Sequence, residues 1–131
     1  MSDTLQPLAE AVKRAKGWDQ TLRAVMLAGK HLRSLPSPFH TAQFLVPGCQ
    51  SNVWLRQDPD TGVFQAWSDA KVMRGVLALL MEYTESVRSE ITQSAVQQYL
   101  SELHLDRVLT TSRANGINTV VARLCEARRI P

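Results

Sequence analysis

The stretch Val46-Pro47-Gly48-Cys49-Gln50-Ser51-Asn52-Val53-Trp54 places one cysteine between a turn and the start of an apolar strand. Pro47-Gly48 punctuates the backbone, and a glycine reaches conformations closed to residues with a β-carbon, so Cys49 is expected at a sharp bend. Val53-Trp54-Leu55 reads as strand, because β-branched and aromatic side chains suit a pleated, half-buried surface. A thiol at a loop tip backed by rigid structure is suited to meet another protein. The opposite reading is a small buried hydrophobe, since cysteine reactivity follows exposure and thiolate fraction.

Outward from this stretch, the chain reads as helices, strands, then helices. Leu5, Leu8, Val12 and Ala15 mark a first helix that stops near Gly17. Leu22, Val25, Met26, Gly29 and Leu32 share one stripe of a second, running from Trp18 to about Arg33. Leu35-Pro36-Ser37-Pro38 ends it, because proline disfavours helix in the residue before it. Residues 42–46, 50–56 and 63–67 read as three strands, with Asp58-Pro59-Asp60-Thr61-Gly62 as a turn between the last two. Ser68-Asp69 suits a helix start, the serine as cap and the aspartate at the positive end of the dipole. Val72, Val76, Leu79, Leu80 and Tyr83 form that helix's apolar face. A further helix from about Ser94 carries Val96, Tyr99, Leu100 and Leu103, and a last one carries Ile117, Val120, Val121, Leu124 and Cys125. The expectation is one α+β domain over residues 1–131: a small three-stranded antiparallel sheet packed with N-terminal and C-terminal helices.

Composition removes several classes of function. With 44% apolar and 21% charged residues the chain matches a soluble globular protein, and no apolar run approaches the ~20 residues that span a bilayer. Met1-Ser2-Asp3-Thr4-Leu5-Gln6-Pro7 has neither a basic start nor an apolar signal core, and two cysteines make no disulfide framework; both point to the cytoplasm. The net charge of +3 is spread without a basic stripe, which argues against nucleic acid. His31, His40 and His104 are dispersed, so no metal site is expected. Glu82 and Glu85 fall on a polar helix side and read as solvated. Cys125 sits on the apolar face of the last helix and reads as core. Cys49 is the remaining candidate for chemistry.

Gly48-Cys49-Gln50-Ser51-Asn52-Val53-Trp54 closely resembles the signature of the SufE family of sulfur-acceptor proteins. Ser68-Asp69-Ala70 with Arg74-Gly75, and Leu109-Thr110-Thr111-Ser112-Arg113-Ala114-Asn115-Gly116-Ile117, resemble its second and third blocks, in the family's order. The resemblance implies a sheet with packed helices, and a persulfide carried on Cys49. The sulfur comes from a cysteine desulfurase, SufS-like or CsdA-like, and passes to a downstream acceptor or iron–sulfur scaffold. It also implies that pyridoxal phosphate belongs to the desulfurase, that this chain needs no cofactor of its own, and that it stimulates its partner without independent turnover. Two alternatives stay open: a CsdE-type relay that also serves tRNA modification, and a regulator that binds the desulfurase without using the thiol. Gly48, Gln50 and Ser51 are the supporting loop residues. Gln50 and Ser51 either offer polar hydrogens to the sulfur or satisfy loop backbone. Arg113 either pairs with Asp69, positions the loop, faces the desulfurase, or is a solvated arginine at a helix start. Asp69 either shares that role or serves its helix dipole alone.

Overall fold

A computed structural model of the chain describes residues 6–47, 52–87, 91–107, 109 and 111–127, the side chains of residues 106 and 111–113 excepted. Within them lie five α-helices and one antiparallel pair of strands: α1 (Pro7–Arg14), α2 (Gly17–Ala28), β1 (Val53–Gln57), β2 (Phe64–Ser68), α3 (Lys71–Ser86), α4 (Gln93–Glu102) and α5 (Thr111–Ala127). Short 3₁₀ turns follow α2 at Gly29–His31 and precede the sheet at Ser37–Phe39.

The central helix is α3. Its run from Gly75 to Met81 is buried at every position, which a one-sided amphipathic pattern does not give; such a helix is covered all round. Helix α2 packs on one side and the sheet on another, while Tyr99 of α4 donates its hydroxyl to the Leu79 carbonyl at 3.0 Å. Val72 and Tyr83, expected on the buried face, are half-buried, and Leu77, Ala78 and Met81 join the core instead.

The crossing of α2 and α3 is set by Gly75. A β-carbon there would meet the Val25 backbone, with the carbonyl carbon only 2.7 Å away, so the two helix backbones touch where a side chain would stand. Gly29 faces the same crossing, its would-be β-carbon 3.0 Å from the Gly75 nitrogen. Helix α1 is anchored by Glu82 of α3, whose carboxylate accepts the Leu8 and Ala9 amides at 2.7 and 3.0 Å. Pro7 supplies the first helical position without needing a partner for an amide, and the carboxylate sits at the positive end of the helix dipole. Glu82 is therefore a structural cap and not a solvated acid. Glu85 forms an exposed ion pair with Arg33.

The sheet has two strands among the described residues, where three were expected. β1 and β2 pair from Val53↔Ser68 to Gln57↔Phe64, joined through the Asp58–Gly62 turn, where Gly62 takes φ +75° and Asp58 Oδ1 accepts the Asp60 amide. The expected first strand contributes one isolated antiparallel bridge, Leu45↔Trp54. The reason is local: the Phe44 and Leu45 amides donate back to Thr41 and Ala42 at 3.1 and 3.3 Å, so this segment is turned and not extended. Bonds from Val46 to Val53 (2.7 Å) and from Leu55 to Phe44 (2.9 Å) still cover the free edge of β1. The other edge is covered by residues 33–35, with Leu35 donating to Ala66 at 3.0 Å and Ala66 to Arg33 at 3.1 Å. Val53, Leu55, Ala66 and Ser68 face the core; Trp54, Arg56, Gln65 and Trp67 face outward and are half-buried.

Helix α4 is capped by Thr92, whose hydroxyl accepts the Ala95 amide at 3.2 Å. Helix α5 buries Ile117, Val120, Val121 and Leu124 as expected. Cys125 beside them is half-buried at the edge of the core, and its desolvation pushes the thiol above its ordinary pKa.

Two stability predictions follow from the core. Gly75→Ala is expected to cost about 3 kcal/mol or more in urea unfolding, because the obstacle is backbone and not a flexible side chain. Gly62→Ala, strained only by its positive φ with open space around it, should cost about 1–2 kcal/mol. Tyr99 gives the second. Burial, with smaller contributions from Glu82 and Tyr83, pushes its phenol well above the ordinary value of 10.0. The folded state thus holds the proton more tightly than the unfolded one. Stability from this group is complete below pH 10 and falls as pH rises beyond it, by ~1.4 kcal/mol per pH unit. Denaturation midpoints measured across pH 9–11 should show that fall, and Tyr99→Phe should flatten it.

Candidate functional site

Among the four residues 48–51, Gly48, Cys49, Gln50 and Ser51 all lie outside the described residues, as does the side chain of Arg113. What the structure defines is the frame on either side of them. On one side Val46 is buried and donates its amide to the Val53 carbonyl at 2.7 Å. On the other, Asn52 is held from three directions. Its carbonyl accepts the Ser68 hydroxyl at 2.7 Å and the Asp69 amide at 3.3 Å, and its side-chain amide donates to Asp69 Oδ2 at 2.8 Å. Cys49 is three residues from each of Val46 and Asn52, and successive Cα atoms are 3.8 Å apart. Covalent length alone therefore keeps it within about 11 Å of both anchors.

Ser68 and Asp69 owe this position to the register of the hairpin. Val53 pairs with Ser68, so the end of β2 lies beside the start of β1. Ser68 is fully buried, and its hydroxyl both donates to Asn52 and accepts the Ala70 amide at 3.2 Å. The expected helix cap is therefore relocated: α3 begins at Lys71 after Ala70, with no side-chain cap, and Ser68 braces the cysteine segment instead. Asp69 is exposed and bonded to Asn52; Arg113, for which pairing with Asp69 was one of the open readings, has a side chain outside the described residues.

Arg74 completes the frame. Its guanidinium lies 4.1 Å from the centre of the Trp67 ring, and Nε donates to the Ser68 carbonyl at 2.8 Å. A second donor reaches the Asp69 carbonyl at 3.4 Å. A planar, delocalised cation does this; an ammonium on a flexible stem does not stack and fork together. Next to it the His40 ring stacks on Trp54 at 4.8 Å and lies 6.0 Å from Trp67, each at 14°. His40 Nε2 lies 2.7 Å from the Leu35 carbonyl, which can only accept, so Nε2 carries the proton. Arg56 continues the layer with its guanidinium 4.3 Å above Phe39.

The sequence reading missed Asn52, His40 and Arg74 as parts of this site. Arg74 stood in a matched block without an assigned role, and its spacing from Ser68, six residues across a strand–helix junction, carries no periodic signal. Among the described residues no group of three metal-ligating side chains occurs, and no helix is long and apolar enough to cross a membrane.

The class defined by fold and frame is an α+β protein in which a short hairpin, laid on a buried central helix, braces a cysteine-bearing connection. Residues 6–127 match the family model SufE, described as an Fe–S metabolism associated domain, and the chain belongs to the SufE family. It is 30% identical over 122 residues to an uncharacterized SufE-like protein of Haemophilus influenzae, covering 89% of this chain and 96% of that one. It is also similar to the cysteine desulfuration protein SufE of Wigglesworthia glossinidia brevipalpis (26% over 109 residues; 80% of this chain, 76% of that one). To the sulfur acceptor protein CsdE of Escherichia coli it is 25% identical over 133 residues, covering 98% and 86% of the two chains.

Ser68→Ala removes one donor and one acceptor from a buried site and leaves the Asn52 carbonyl short of a bond. It should lower stability by about 1–3 kcal/mol in urea unfolding. Hydrogen exchange should accelerate at the Ala70 amide, which loses its acceptor, while amides in the middle of α3 keep their protection relative to global unfolding.

Proposed function

We propose that this chain accepts sulfur from a cysteine desulfurase as a persulfide on Cys49, and passes it on for iron–sulfur cluster assembly. The observation that carries the reading is the family match over residues 6–127, which spans the cysteine segment together with both arms of its frame. The names of the SufE and CsdE relatives, desulfuration protein and sulfur acceptor, support it.

The step is thiol exchange. The Cys49 thiolate attacks the outer sulfur of the desulfurase persulfide, a new S–S bond forms on Cys49, and the donor cysteine leaves as thiolate. The proton released by Cys49 balances the one the donor takes up, so no oxidant or reductant is consumed. Only a few per cent of an ordinary cysteine is thiolate at neutral pH, which makes placement of the thiol as important as its nucleophilicity. A frame that anchors both ends of the segment limits the conformations Cys49 must search when the donor arrives. In this reading residues 1–131 act as one carrier domain in a reducing cytoplasm. Pyridoxal phosphate works on the desulfurase, and Gly48, Gln50, Ser51, Asp69 and Arg113 shape or present the loop.

Incubation with a cysteine desulfurase and ³⁵S-cysteine tests the assignment. Wild type and Cys125→Ser should each gain one labelled sulfur that a reductant removes, and Cys49→Ser should gain none while folding normally. Full stimulation of the desulfurase by Cys49→Ser would replace the carrier with a regulator that binds without the thiol.

A further inference from the structure

One groove on the surface has a composition that the sulfur chemistry does not use. It lies between α2, the Gly29–His31 turn, the end of β2 and the start of α3, and encloses about 410 Å³. Met26, Leu27 and Trp67 line it with apolar surface and Arg23, Lys30, Lys71 and Arg74 with positive charge; among the described residues no carboxylate lines it. Leu27 is 50% exposed and Met26 36%; with Leu45 they are the large apolar side chains that the described surface leaves open, and these two are adjacent in the chain. Arg74 is committed to Trp67, Ser68 and Asp69. Arg23, Lys30 and Lys71 have no ion-pair partner among the described residues.

The charge is concentrated further by the helix at its edge. Lys71 is the first residue of α3, whose first turn has no acidic residue and no side-chain cap. Cations at a helix N-terminus are locally unfavourable, since the dipole there is already positive. Lys71 and Arg74 therefore add to the positive end of α3, where the nearest acid is Asp69, two residues before Lys71 and bonded to the Asn52 side chain.

We propose that this groove receives an acidic segment of the donor desulfurase, one that sets an apolar side chain over Met26 and Leu27 while its carboxylates meet Lys30, Lys71 and Arg23. The proposal rests on the sulfur-acceptor reading and names where the donor docks. Charge selects the occupant, because three cations without an ion-pair partner among the described residues, set around an apolar lining, match an acidic, amphipathic peptide. Position selects the donor. Trp67 and Arg74 line the groove, and Ser68 between them in the fold bonds to Asn52, three residues from Cys49, so a protein seated in the groove lies beside an anchor of the cysteine segment. Carboxylates on the rim would also steer association, an effect that salt screens.

The test is titration of a cysteine desulfurase from the same organism with four proteins: wild type, K30E/K71E, K30R/K71R and Leu27→Ser. All substituted side chains are exposed, so circular dichroism should be unchanged. At low ionic strength K30E/K71E should bind at least ~10-fold more weakly, and the gap should close towards 0.5 M salt. K30R/K71R should match wild type, and Leu27→Ser should bind more weakly at every salt concentration. Loading of Cys49 by glutathione persulfide should be equal in all four. Wild-type affinity and salt dependence in K30E/K71E overturn the groove, and leave the relay standing if the desulfurase still loads Cys49. Salt-sensitive binding through the groove without any loading of Cys49 upholds the groove and overturns the relay. A change confined to sedimentation of the isolated chain makes a second copy the occupant and overturns the proposal.

Discussion

Contact between two helix backbones at Gly75 is the constraint on which the rest of this structure depends. Where α2 crosses α3, the space that a β-carbon would take is filled by the Val25 backbone. This close approach lets α3 be buried at every position from Gly75 to Met81, with α2 against one side and the hairpin against another. It also brings the start of α3, with Lys71 and Arg74, up against the end of α2 and its following turn. The crossing therefore sets two things together: a close backbone contact at the centre of the core, and a cationic surface beside the hairpin.

The hairpin converts that core into a platform. Its inner face, Val53, Leu55, Ala66 and Ser68, is buried, and each edge is covered by a non-strand segment with a few backbone bonds. Covering an edge in this way satisfies its amides and carbonyls and removes a template for pairing with other chains. The same bonds hold Val46 against Val53 and Ser68 against Asn52, so the segment that carries Cys49 begins and ends on braced backbone. A buried serine does the bracing. Its hydroxyl has two partners, which offsets the desolvation that an unpaired buried hydroxyl would suffer.

Outside the hairpin, aromatic and cationic side chains alternate. Arg74 on Trp67, His40 on Trp54 and Arg56 on Phe39 cover the outward face of both strands without closing it into a second core. Each guanidinium shields an aromatic surface while keeping its charge near solvent, which leaves the face half-buried and chemically mixed.

Much of this was legible along the chain. Helix stripes at 3.6-residue spacing, the Asp58–Gly62 turn and the positions of Val53-Trp54 and Phe64–Ser68 are local signals, and the matched blocks around Cys49, Asp69 and Arg113 identified the family and the thiol to examine. Three things were not legible. Residues 42–46 read as strand, yet the Phe44 and Leu45 amides are taken by a local turn, and the segment pairs with β1 only through an isolated bridge. Ser68 reads as a helix cap because capping is a local rule, whereas its Asn52 partner lies sixteen residues away. Glu82 reads as solvated because it falls on a polar stripe, but that stripe faces the start of α1, seventy-four residues earlier. Periodicity and propensity describe what a residue does with neighbours in sequence. The partners of a hydroxyl, a carboxylate or a guanidinium are set by which elements pack together, and here Gly75 and the hairpin register decide that.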